Sequence, residues 1–128
     1  MLSFNSYGVW KIIGSGVSGD QYYIDDHRYT ANDYKVVYSV AIDSSNPIKN
    51  RYMSMTKIIQ GDCGEGQTKD LKVTLYKQPM KWIDGSMKLV GEGVSQSISN
   101  KWYYPSRGDL YLHMLNRVCN YVYANKYN

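Results

Sequence analysis

Phenylalanine occurs once in the 128 residues, histidine twice and cysteine twice. Neither cysteine belongs to a C-x-x-C, and His27 and His113 have no spacing that would complete a zinc site with them. No apolar run approaches the roughly 18 residues that a membrane-spanning helix needs. Charge does not cluster either. The 15 Lys and Arg are scattered singly among 11 Asp and Glu, so the net charge of +4 forms no nucleic-acid-binding stripe. It leaves only a mild attraction to acidic partners such as heparin-like glycans or anionic membrane surfaces. No basic-then-apolar leader opens the sequence, and Met1-Leu2-Ser3-Phe4-Asn5 reads as the start of a trimmed or mature chain. No stretch repeats at a fixed period.

Against the single Phe stand fourteen Tyr. Tyrosine favours strands and can bury its ring while its hydroxyl stays wet, which suits half-exposed sheet faces; it is also enriched at protein interfaces. Apolar residues make up 43% and charged residues 20%, an ordinary globular composition. The length fits one domain, residues 1–128, with a modest core over about residues 8–123 and short loose ends.

Most of the chain alternates with period two. Val9-Trp10-Lys11-Ile12-Ile13 is a short strand closed by Gly14-Ser15-Gly16, and Gln21-Tyr22-Tyr23-Ile24-Asp25 is a second. A turn at Asn32-Asp33 leads into a strand over 36–42, followed by a loop at Asp43-Ser44-Ser45-Asn46-Pro47. A strand runs over about 51–60 and is interrupted by the glycine-rich segment 61–66. Over 69–77, Leu71, Val73 and Leu75 face one way. Asp84-Gly85 marks a turn, and 87–90 is a weaker strand.

The period then changes. Tyr111, Leu115, Val118, Cys119 and Val122 recur at helical spacing, widened by Leu110 and Met114. Ser106, with Asp109 three residues on, fits a capping-box start, giving a helix over 107–123. Cys119 lies on its apolar face and Cys63 at a strand end. The count alone leaves two readings: a long-range disulfide in an oxidising compartment, or two buried free thiols. The placement favours the first, because a bridge there would pin the helix to the sheet.

Taken in order, Tyr22-Tyr23-Ile24-Asp25, Arg51-Tyr52-Met53-Ser54 leading to Asp62-Cys63, Trp102, Pro105-Ser106 and Val118-Cys119-Asn120-Tyr121 resemble the surface-adhesin protein E family of Gram-negative envelope proteins. The similarity runs from about residue 8 to 123. It implies an α+β fold: a curved antiparallel sheet of about six strands with one C-terminal helix packed on its concave face, tied by a Cys63–Cys119 disulfide. It also implies a non-catalytic binding module of the periplasm or outer-membrane surface. The family's founding member is a lipid-anchored surface protein that dimerises and binds vitronectin, laminin, plasminogen and haem. Lipid anchoring needs an N-terminal cysteine, so membrane attachment is expected only through an anchor that this chain lacks. Vitronectin binding in that member maps to a basic pair before the cysteine-bearing strand. The matching segment here is Pro47-Ile48-Lys49-Asn50-Arg51-Tyr52, with Lys49, Arg51 and Tyr52 as ligand-binding residues and Asn50 between the two cations. The simpler reading is a solvated turn whose charges blunt a strand end.

Three further groupings carry recognisable chemistry. Arg107-Gly108-Asp109 spells the tripeptide that integrins read, followed by Leu110, with His113 where the extended motif has leucine. Asp109 in a first helical turn is better read as a cap. His27 beside Asp25 and Asp26 is the one enzyme-like cluster, yet no G-x-S-x-G accompanies it and only Asp25 and His27 could share a strand face. Trp82 and Trp102 could flank a haem with His27, His113 or a Tyr as axial ligand, but filling the space between sheet and helix is the better reading. No catalysis, no metal and no resident cofactor are expected. The function to test is adhesin-like recognition of host or matrix proteins, against a periplasmic structural or assembly domain without a host ligand. Short strands in an open sheet leave edges that suit a homodimer.

Overall fold

The computed structural model describes residues 10–25 and 30–127. These form β1 (Trp10–Ser15), β2 (Gln21–Asp25), β3 (Thr30–Asn32), β4 (Lys35–Ile48), β5 (Tyr52–Asp62), β6 (Gln67–Tyr76), β7 (Lys81–Ile83), β8 (Ser86–Lys88), β9 (Val94–Gln96) and α1 (Leu110–Tyr127). Seven strands make one antiparallel sheet in the order β1-β2-β4-β5-β6-β9, with β3 also on β4, while β7 and β8 pair separately. Register shifts interrupt three of these pairings, and such bulges bend strands, giving a curved open sheet. The expected α+β architecture is present.

The strand order follows from local turns. Asp33 and Tyr34 both take positive φ (48° and 65°) between the paired residues Asn32 and Lys35. Asp84 and Gly85 do the same (52° and 85°) between Ile83 and Ser86. Two left-handed residues in succession match the twist of antiparallel strands, so each closes a hairpin.

The segment 43–47 is not the expected loop. β4 continues through it to Ile48, out of register between Asp43 and Ile48. Its polar side chains are held from the β1–β2 turn: the Asp20 carboxylate accepts the Ser45 N–H at 2.8 Å, and Ser45 Oγ donates to the Ser18 carbonyl at 2.7 Å. Tertiary hydrogen bonds thus override a turn-like composition. A second correction concerns Leu71. Ile58 and Ile59 are adjacent on β5, but their partners are Lys72 and Asp70, so Leu71 is the extra bulge residue and lies 39% exposed, while Val73 and Leu75 are buried.

One sheet face carries Ile24, Val36, Tyr38, Val40 and Ile59, against which α1 packs Met114, Leu115, Val118 and Cys119. Residues predicted from helical spacing therefore do form its apolar stripe. At Gly61, in the middle of this seam, an added Cβ would collide with Leu115 Cδ1 and approach Val36 Cγ2 to 3.2 Å, so the close helix–sheet approach requires glycine. The opposite face holds Tyr23, Ala41 and Met80, with Trp10, Met87 and Leu89 packed around them. Two side chains of the sheet fasten the covering segment: Met80 N–H donates to Asp43 Oδ1 at 2.9 Å, and Ser54 Oγ donates to the Gln78 carbonyl at 2.7 Å. Trp82, expected between sheet and helix, is instead 70% exposed on β7; Trp102 is half-buried under Lys69, whose Nζ stands 4.9 Å from the ring centroid.

α1 starts three residues later than predicted. Asp109, rather than Ser106, is its N-cap: Asp109 Oδ1 accepts the Tyr111 N–H at 2.9 Å, and the Asp109 carbonyl accepts from Leu112 and His113. Ser106 contributes its carbonyl to the Asp109 N–H at 2.9 Å.

Candidate binding surface

β4 and β5 are the two longest strands, at 14 and 11 residues, and the turn joining them projects Lys49, Asn50 and Arg51 into solvent. Lys49 and Asn50 take φ of 52° and 60°, and the Arg51 N–H donates to the Ile48 carbonyl at 3.1 Å. Asparagine tolerates this conformation; lysine does so at a cost on the order of 1 kcal/mol. Tyr52, half-buried, pairs with Ile48 at the base of the turn. Lys77 lies one residue beyond the Ser54–Tyr76 pair and is exposed at the same end of the sheet.

The acids of this end are hydrogen-bonded to backbone N–H groups rather than ion-paired to those cations. Asp20 is occupied by the serines of β4, and the Ser45 N–H holds its carboxyl below the usual range. Asp43 accepts the Met80 N–H. No ion pair joins Lys49, Arg51 or Lys77 to an acid among the described residues. Three exposed cations therefore stand at one end of the sheet, with Tyr52 half-buried at the base of the turn. Lys49, Arg51 and Tyr52 were legible as candidates from sequence. Lys77 was not, although counting back from the 61–66 turn along both strands would have set it beside them.

The other end of the sheet is cross-linked and charge-paired. Cys63 follows β5 and is bonded to Cys119 on α1, with Cα atoms 5.8 Å apart and a sequence separation of 56. The Cys63 N–H donates to the Tyr34 carbonyl at 2.7 Å. Asp62 Oδ1 accepts the N–H groups of Gly64 and Glu65 at 2.9 and 3.0 Å, and Oδ2 sits 3.6 Å from Lys35 Nζ. Those bonds, led by the one from Glu65, lower the Asp62 pKa. This end stores rigidity.

The remaining sequence candidates disperse. Arg107 and Gly108 form an exposed turn, Gly108 at φ 87°, but the Asp109 carboxylate is committed to capping α1. His113 borders an open depression lined by Ile13, Leu110 and Asn116, and neither Trp82 nor Trp102 is part of that lining. Asp26 and His27 lie outside the described residues; Asp25 is buried. Among the described residues no group of three His, Cys, Asp or Glu could hold a metal ion, and no helix is long and apolar enough to cross a membrane.

The family model for surface-adhesin protein E matches residues 10–120, from the first residue of β1 to one residue past the helical cysteine. The chain belongs to the surface-adhesin protein E family. No curated protein and no solved structure gives a significant match. Membership in this adhesin family, together with the disulfide, points to a secreted or surface protein with a non-enzymatic role. The matched span contains every described strand of the sheet, both cysteines and Lys49, Arg51 and Lys77.

Proposed function

We propose that this adhesin E chain is a non-catalytic envelope or cell-surface module that recognises host or extracellular-matrix proteins through the β4–β5 turn. The observation that carries this reading is that Lys49, Arg51 and Lys77 are all exposed at one end of the sheet and that none is ion-paired among the described residues. An acidic segment of a partner approaches this end by long-range attraction, and Tyr52 supplies apolar contact at the base of the turn. The disulfide at the opposite end keeps the sheet and helix rigid while the turn engages. Vitronectin and laminin, bound by the family's founding member, are the ligands to try first.

The test is binding of the oxidised protein to immobilised vitronectin and laminin at low and physiological salt. Exposed charges contribute roughly 0.2–1 kcal/mol each, so a Lys49→Ala, Arg51→Ala variant weakens binding by about twofold to thirtyfold and flattens its salt dependence. Saturable binding that ignores both salt and the variant refutes the assignment of the site. No binding to either ligand refutes matrix recognition and favours an assembly role within the envelope.

A further inference from the structure

Three buried polar atoms on neighbouring strands have no hydrogen-bond partner among the described residues: Tyr38 Oη, Thr68 Oγ1 and Asp70 Oδ1. Tyr38 and Thr68 are 1% and 0% exposed. The sheet register brings them together. Ile59 of β5 pairs with Tyr38 on one side and Asp70 on the other, and Gly61 pairs with Val36 and Thr68 in the same way. Because Gly61 has no side chain, the Tyr38 ring leans across it; Cε1 would stand 3.5 Å from a Cβ built there. A ring lying across Gly61 extends from β4 over β5, and the Tyr38 hydroxyl is close enough to interact electrostatically with Asp70 of β6 and with Tyr103, the backbone partner of Thr68.

The rim of this spot is already fixed. Asp70 Oδ2 pairs with Lys57 Nζ at 3.3 Å, and the same Lys57 stands 4.8 Å from the Tyr111 ring centroid. Tyr111 meets Tyr22 edge-to-face at 5.7 Å. Thr68 exchanges two backbone hydrogen bonds of 2.9 Å with Tyr103. Oδ2 of Asp70 is thus satisfied by a cation, while Oδ1 turns inward as an acceptor. Burial raises the Tyr38 pKa, so its hydroxyl remains a neutral donor. A donor, a carboxylate acceptor and a hydroxyl that does either are the three partners a buried water usually takes.

We infer that the helix–sheet seam contains an internal water site built by Tyr38, Thr68 and Asp70, the water accepting from Tyr38 Oη, donating to Asp70 Oδ1 and exchanging with Thr68 Oγ1. It joins β4 to β6 across β5.

Two measurements on the oxidised full chain test this. Water–protein cross-relaxation by NMR, or a high-resolution crystal structure, shows a long-lived water on these three atoms. Tyr38→Phe and Thr68→Val each lower the folding equilibrium constant about threefold to tenfold, and the double variant loses less than the product because both remove the same bridge. A dry site in the wild-type protein overturns the inference. So does a Tyr38→Phe protein more stable than wild type, which would mean the hydroxyl is buried unbonded. Strictly multiplicative losses would mean that the two hydroxyls act separately, and would overturn it too.

Discussion

Removing the Cys63–Cys119 bridge perturbs stability in a way that loop length allows to be worked out. The cysteines are 56 positions apart, and in the chain-entropy model a closed loop of that size contributes roughly 4 kcal/mol by restricting the unfolded chain. Domains of this size are stable by about 5–15 kcal/mol in total, so the bridge is a major share. Cys119 is 8% exposed on the face of α1 that also buries Met114, Leu115 and Val118. These apolar contacts persist without the bridge, so the native fold survives with a smaller margin. Urea and thermal denaturation of the oxidised protein and a Cys63→Ala, Cys119→Ala variant measure the difference. The expected loss is about 4 kcal/mol, and a melting temperature lower by on the order of 15 °C. A loss below about 1 kcal/mol would refute the reasoning, because the cross-link would then not constrain the unfolded chain as its loop length requires.

Gly61→Ala places a methyl group against Leu115 and Val36 and is expected to cost about 1–3 kcal/mol by denaturant titration, with the disulfide intact. Asp109→Ala removes the cap of α1 and lowers stability by about 1 kcal/mol, while binding to vitronectin or laminin at the β4–β5 turn is unchanged. Stability also follows pH at both ends. Asp20 and Asp62 have native pKa values below the ordinary 3.8, mainly from the N–H groups of Ser45 and Glu65 respectively, so their contribution is complete above that value and is lost as pH falls through the native pKa. Tyr38 and Tyr111 are raised above 10.0 by burial, so the unfolded chain releases their protons first and stability falls as pH rises past 10. Denaturation midpoints across the range should show a plateau between about pH 5 and 9 with a decline on either side.

Much of the fold was legible because its signals are local. The helical stripe from Tyr111 to Val122 and the alternation at Val73 and Leu75 state which faces are buried, and the two cysteines fall where those faces meet. What the sequence hid depends on contacts between distant segments. Residues 43–47 look like a loop until Asp20 and Ser18 bind Ser45, and Leu71 looks like core until a bulge moves it out. Trp82 would fill most small cores, yet Met80 takes the buried position two residues earlier because Asp43 fixes its backbone. The basic turn was readable as Lys49 and Arg51. Its third cation, Lys77, comes from a neighbouring strand and is visible only once register is known. The integrin-like tripeptide shows the converse: a recognisable string whose carboxylate is spent on a helix cap.

The most direct test of the account is to map where a bound partner touches the protein, by backbone amide shifts or hydrogen exchange with vitronectin or laminin present. Changes are expected at 47–52 and around Lys77, with the 33–34 and 63–66 turns unaffected. Changes confined to the disulfide end, with the β4–β5 turn silent, would contradict it.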